Sequence, residues 1–306
     1  MKTMVVITFI AVLSFNAVAA GADRTSACFT HFRFNEYKDA FRAGEEAIRQ
    51  DPSDYNAFIC LALASENLKN YGRAINYWEK AIQRKLSKGN TFGIPSDYEA
   101  MARVYSEMGD KNNELKYKLL AFEFAERQKI AIEAKLLAWG IARMYEDKGE
   151  YEKAVQYYKK RIQYTRSPEE EADTHWRIAG IYAENLKNPA AAIEHAKIAI
   201  PFDDGSKYRA TSLRRLAGFY ALYGNYDLAL QHYVESINYA RERGDEGRQA
   251  DGVCALARFY KANHKMEDAV RTFEDCIARY KKLKIDNGVK AAEKELASLG
   301  NVPSQK

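Results

Sequence analysis

One helical face is repeated along this chain, and that repetition is what most constrains its fold. Phe58, Leu61, Ala62 and Ser65 set apolar or small groups on a single face, and Ala74 and Trp78 follow on a second periodic stretch. Ala138, Ile141, Ala142, Tyr145, Ala154 and Tyr158 reproduce the order. So do Leu213, Leu216, Ala217, Tyr220, Ala229 and Tyr233, and then Val253, Leu256, Ala257, Tyr260, Ala269 and Phe273. Large groups at i, i+3 and i+7 form one side of an α-helix, so each copy predicts a pair of amphipathic helices. The recurrent alanines mark where paired helices must approach closely. Between them lie turns such as Gly149-Glu150-Tyr151 and Gly224-Asn225-Tyr226, where glycine can take the positive φ of a helix end. A lone pair leaves an apolar side uncovered, so the copies must stack to complete a core.

Three further copies are degenerate. The first keeps Tyr37, Ala40, Ala47 and Asp51-Pro52. The third keeps Tyr98, Ala102, Tyr105 and Gly109 but has Glu114 where alanine is usual. The fifth has Trp176, Gly180, Ala192 and Ala199. From about residue 30 to 283 the chain resembles the tetratricopeptide repeat family, whose template carries these residue types in this order. The resemblance implies an all-α fold, a right-handed α-α superhelix (a TPR solenoid). About seven repeats are expected, with starts near 21, 55, 95, 135, 173, 210 and 250. Ile285, Val289, Ala292, Leu296 and Leu299 predict a capping helix over 284–300, closing the open end. The family is a scaffold used by many unrelated systems and says little about activity.

Residues 1–20 stand apart from the repeats. Lys2 precedes an apolar run from Met4 to Phe15, then Ala17-Val18-Ala19-Ala20, the pattern of a secretory signal cleaved after Ala19 or Ala20. The run is shorter than the roughly 20 residues that span a bilayer. An exported protein, periplasmic or secreted, is expected. The full chain carries 47 basic and 42 acidic residues, well mixed, which is not the basic field of a nucleic-acid binder.

No chemistry-bearing motif emerges: there is no GxxxxGK[ST], GxSxG or HExxH. His31, His175, His195, His232 and His264 are scattered, none with a second ligand at metal spacing. Neither an enzyme nor a cofactor or metal protein is expected. The four cysteines leave two readings open. Cys28 with Cys60, on the first helices of neighbouring repeats, and Cys254 with Cys276, on the two helices of the last repeat, would bridge if their Cα atoms come within about 4.4–6.8 Å. Otherwise all four are small buried hydrophobes.

In the family resembled, the first helices of successive repeats line a concave groove. Mapped onto this chain, that face carries Arg103, Arg143, Arg177, Arg214 and Arg258, with Trp139 and Lys261 nearby. Guanidinium groups pair bidentately with carboxylate or phosphate, so the row predicts an acidic peptide or an anionic glycan as partner. The bland alternative is neutralisation within each helix: Arg103 has Glu99 and Glu107, Arg143 has Glu146 and Asp147, and Arg177 has Asp173. Arg214 and Arg258 have no acid three or four residues away, which makes them the sharper candidates. The leading expectation is a protein-binding adaptor docking a partner segment. An accessory to envelope polysaccharide or outer-membrane assembly is the alternative, and self-association through the weak first repeat is a further one.

Overall fold

The computed structural model describes residues 24–300 apart from Asp204 and Lys207; the expected signal segment, residues 1–20, lies outside them. Fifteen α-helices and no strand occur among the described residues. They fall into two compact units that divide between Lys148 and Gly149. The first holds α1 (24–33), α2 (Tyr37–Gln50), α3 (Tyr55–Asn67), α4 (Tyr71–Ser87), α5 (Ile94–Glu107), α6 (Lys111–Arg127) and α7 (Ala131–Asp147). The second holds α8 (Tyr151–Tyr164), α9 (Pro168–Glu184), α10 (Pro189–Ala199), α11 (Arg209–Leu222), α12 (Tyr226–Glu242), α13 (Glu246–Ala262), α14 (Met266–Lys282) and α15 (Asp286–Ala297). The division falls in the turn between α7 and α8, inside the fourth repeat rather than between repeats.

Local sequence sets the helix starts. Asp54, Asp110, Ser167, Asn188, Asn225 and Asp245 each cap a helix by accepting a backbone N–H of its first turn. Each such cap stabilises its helix by about 1 kcal/mol. The repeats expected to start near 135, 173 and 250 have first helices beginning at Ala131, Pro168 and Glu246. The template begins at the first recurrent apolar position, whereas the helix begins at its cap a turn earlier.

Within each unit, successive helices pack on one another, as short turns between them require. The recurrent alanines sit at the contacts. Ala62, Ala74, Ala142, Ala154, Ala217, Ala229, Ala257 and Ala269 are all 0% exposed. At the third repeat, Glu114 takes the alanine position and is buried, with Lys111 at 2.8 Å and Lys118 at 3.9 Å holding its carboxylate. The two lysines on its own helix explain how that departure is tolerated. Gly44 permits the closest approach in the first unit: a Cβ there would lie 2.7 Å from Leu61 Cγ and 3.1 Å from Cys28 Sγ. The structure pairs Cys28 with Cys60, on α1 and α3, and Cys254 with Cys276, on α13 and α14. Their Cα separations are 6.3 Å and 5.2 Å. Helix α15 lays Val289, Ala292, Leu296 and the following Leu299 on the core around Phe273, while Ile285 at its N-cap is exposed.

Candidate functional site

The arginine row is shared between the two units. Arg103 on α5 and Arg143 on α7 are exposed in the first, and Trp139 on α7 is half-buried there. Arg177, Arg214 and Arg258 lie on α9, α11 and α13 of the second, with Lys261 also on α13.

Arg214 and Arg258, with no acid three or four residues away in sequence, take acidic partners from other helices. Arg214 pairs with Asp251 at 3.2 Å, and Arg258 Nε donates to Glu295 Oε1 at 2.6 Å. Arg103 forms a two-point fork on Glu66, at 2.7 and 3.2 Å, which raises its already high pKa. Lys261 donates to Ser298 Oγ at 2.8 Å and lies 3.7 Å from Glu295. The Arg103–Glu66, Arg258–Glu295 and Lys261–Ser298 contacts each span 37 positions. Stacking sets one first helix beside the next, so an acid about one repeat away is as close as an acid one turn away. Half-exposed pairs of this kind are worth about 1 kcal/mol or less and brace each first helix against the next one or against the capping helix α15.

The residue that sequence reasoning passed over is Arg215. Its guanidinium stacks over the Trp176 ring, 4.6 Å from the centroid, and donates to the Trp176 carbonyl at 3.1 Å. Trp176 is fixed in turn: its indole N–H donates to Asp203 Oδ2 at 3.1 Å, and Ser212 Oγ donates to the same oxygen at 2.5 Å. Desolvation lowers the Arg215 pKa, opposed by the more distant Glu184, Asp173 and Asp203. The only signal in the sequence was the Arg214-Arg215 doublet.

Two clefts of the second unit meet at Arg215. One, of about 370 Å³, is lined by Arg214, Arg215, Asp251, Ala255, Arg258 and Tyr280. The other, of about 580 Å³, is mostly apolar and includes Phe219, Leu222, Tyr233 and Phe259. In the polar cleft Tyr280 donates to Asp251 at 2.8 Å, and burial pushes its phenol pKa up to about 12. The phenol therefore stays a neutral donor.

The histidines are less scattered than the sequence suggested. His175 and His195 face each other Nδ1 to Nδ1 at 2.7 Å, with the Tyr182 ring stacked on His195. Burial lowers both pKa values, that of His195 to about 4. Among the described residues no group of three or more His, Cys, Asp or Glu is placed to hold a metal ion.

Known proteins resemble this chain in fold. A family model for the tetratricopeptide repeat matches residues 140–172, and one for anaphase-promoting complex subunit 5 matches residues 25–74. A comparison with curated protein sequences finds no match. Among solved structures, that of Naa15/Naa10 bound to HypK-THB superposes with a TM-score of 0.61 at 13% identity. The match covers 90% of this chain and 39% of that one, so this chain spans about two fifths of its length. The C-terminal part of a TPR repeat-containing protein from Cytophaga hutchinsonii matches with a TM-score of 0.54 at 15% identity, covering 87% of this chain and 99% of that one. The fold is thus the all-helical solenoid of tetratricopeptide-repeat proteins.

Proposed function

We propose that this solenoid is an exported adaptor that docks an extended segment of a partner protein along the first-helix face of its second unit. The observation that carries the reading is the junction of two clefts, one polar and one apolar, along α11 and α13. An open groove of this kind suits an extended chain better than a small closed ligand. Leu222, in the apolar cleft, is 63% exposed and supplies apolar surface that a partner would cover. Export is supported by the signal-like residues 1–20, and the two cysteine pairs suit an oxidising compartment such as the periplasm. A second reading, an anionic glycan held by the arginines, is favoured by the polar cleft but leaves the apolar cleft unused.

Immobilised full chain, exposed to envelope extract, tests the proposal beside a Leu222→Arg variant. A defined protein retained by the parent chain and lost by the variant is the expected result. Equal retention by both would move docking away from this groove. Retention of acidic polysaccharide alone would favour the glycan reading.

A further inference from the structure

We infer that this groove reads a single acidic side chain set beside a large apolar one in the docked segment, with Arg215 as the residue that receives the acid. The inference rests on the docking reading above and names what is docked. Arg215, Ala255 and Arg258 line both clefts, so a segment crossing from the polar to the apolar side passes Arg215. The neighbouring charges are largely committed. Asp251 takes contacts from Arg214 and Tyr280, and Arg258 is held by Glu295. Among the described residues, no carboxylate lies within ion-pair distance of Arg215. Its only polar bond among the described residues is the one N–H given to the Trp176 carbonyl. A guanidinium has five N–H donors, so most of its fork is open to a ligand.

That fork is also fixed in place. The Trp176 ring beneath it and the carbonyl bond hold the plane, and Trp176 is itself anchored by Asp203. A planar donor with little freedom left to lose is suited to bidentate capture of a carboxylate. Charge balance sets the size of the ligand charge. Across the two clefts Arg214, Arg215 and Arg258 face Asp251 and Glu184, with Glu295 on Arg258. Arg214 is matched by Asp251 and Arg258 by Glu295, so the guanidinium left without an ion-pair partner among the described residues, that of Arg215, takes one carboxylate. A polyanionic stretch would meet Asp251, Glu184 and Glu295. Beyond Arg215, Phe219, Leu222, Tyr233 and Phe259 line space for a large aliphatic or aromatic side chain.

The test selects peptides from a random dodecamer display library on the full chain and measures the enriched peptides by fluorescence anisotropy. Enriched peptides are expected to carry Asp or Glu within a few positions of Leu, Ile or Phe. Changing that acid to its amide weakens binding about tenfold or more, and Arg215→Gln does the same. The amide peptide loses nothing further on the Arg215→Gln chain, so the two changes fail to add. The amide peptide needs no protein variant, so its result stands even if Arg215→Gln fails to fold. Peptides that lose binding to Leu222→Arg but carry no required acid would overturn this inference and leave the docking reading intact. A selection yielding no peptide, or only peptides indifferent to Leu222→Arg, would overturn both.

Discussion

The buried pair Lys85–Asp97 gives the sharpest test of how the first unit is held together. Lys85 ends α4, Asp97 opens α5, and both side chains are 7% exposed with Nζ and Oδ2 2.5 Å apart. At an effective dielectric constant near 20, their attraction is about 6–7 kcal/mol. Desolvating the two ions costs several kcal/mol each, so the net contribution of the pair is close to zero. Burial indeed pushes the Asp97 pKa upward, and Lys85 only partly pulls it back. Removing one partner is another matter, because the survivor is a buried charge without its counter-ion. Asp97→Leu or Lys85→Met alone should each cost about 3–5 kcal/mol. The double variant Lys85→Met/Asp97→Leu should return to within about 1 kcal/mol of the parent, or exceed it. Urea unfolding of the four proteins, followed by circular dichroism, closes the double-mutant cycle. Additive losses, or single losses below about 1 kcal/mol, would refute the reasoning and show that water reaches the pair.

Three further predictions follow from contacts elsewhere. His195, with a pKa near 4 against 6.5 when free, is faced by His175, Lys159 and the Tyr182 ring, while Glu171 lies against His175. A depressed histidine contributes stability that is present above the unfolded pKa and lost as pH falls through the folded one. Stability should therefore drop between about pH 6.5 and 4, by roughly 1–2 kcal/mol once partial exposure is discounted. His195→Gln should flatten that drop, and an unchanged urea-midpoint profile would contradict the assignment. Gly44→Ala drives a Cβ into Leu61 and should cost about 1–3 kcal/mol; a thermal melt equal to the parent's would show that Leu61 yields freely. Alkylation of the denatured, unreduced chain should label none of the four cysteines, and reduction should release all four. Labelling before reduction would show that the pairs stay as thiols.

The fold was legible because close helix packing admits only small side chains at the contacts. Ala62, Ala142, Ala217 and Ala257, with their partners on the second helices, are buried where the pattern placed them. The turns were partly legible: Gly109, Gly149 and Gly224 take positive φ, but Lys69, Lys187 and His264 do the same work in other repeats without a glycine to announce it. The candidate site was read less well. Reasoning within one helix looks three or four residues away, and so found no acid for Arg214 or Arg258. Their partners come from other helices, Asp251 from the next first helix and Glu295 from the capping helix α15. Arg215 was missed for a related reason: its importance lies in what it lacks, a carboxylate, and in Trp176 holding it from the preceding first helix. His175 and His195 meet across the two helices of one repeat, a contact that no local spacing rule detects.

Photocrosslinking tests the central claim most directly. The full chain carries a benzoylphenylalanine either at Leu222, in the groove, or at Val234, exposed on α12 and absent from the groove lining. Irradiation in cells should trap a defined protein from the Leu222 position and none from Val234. Trapping from Val234 alone, or from neither position, would contradict a docking groove on the first helices of the second unit.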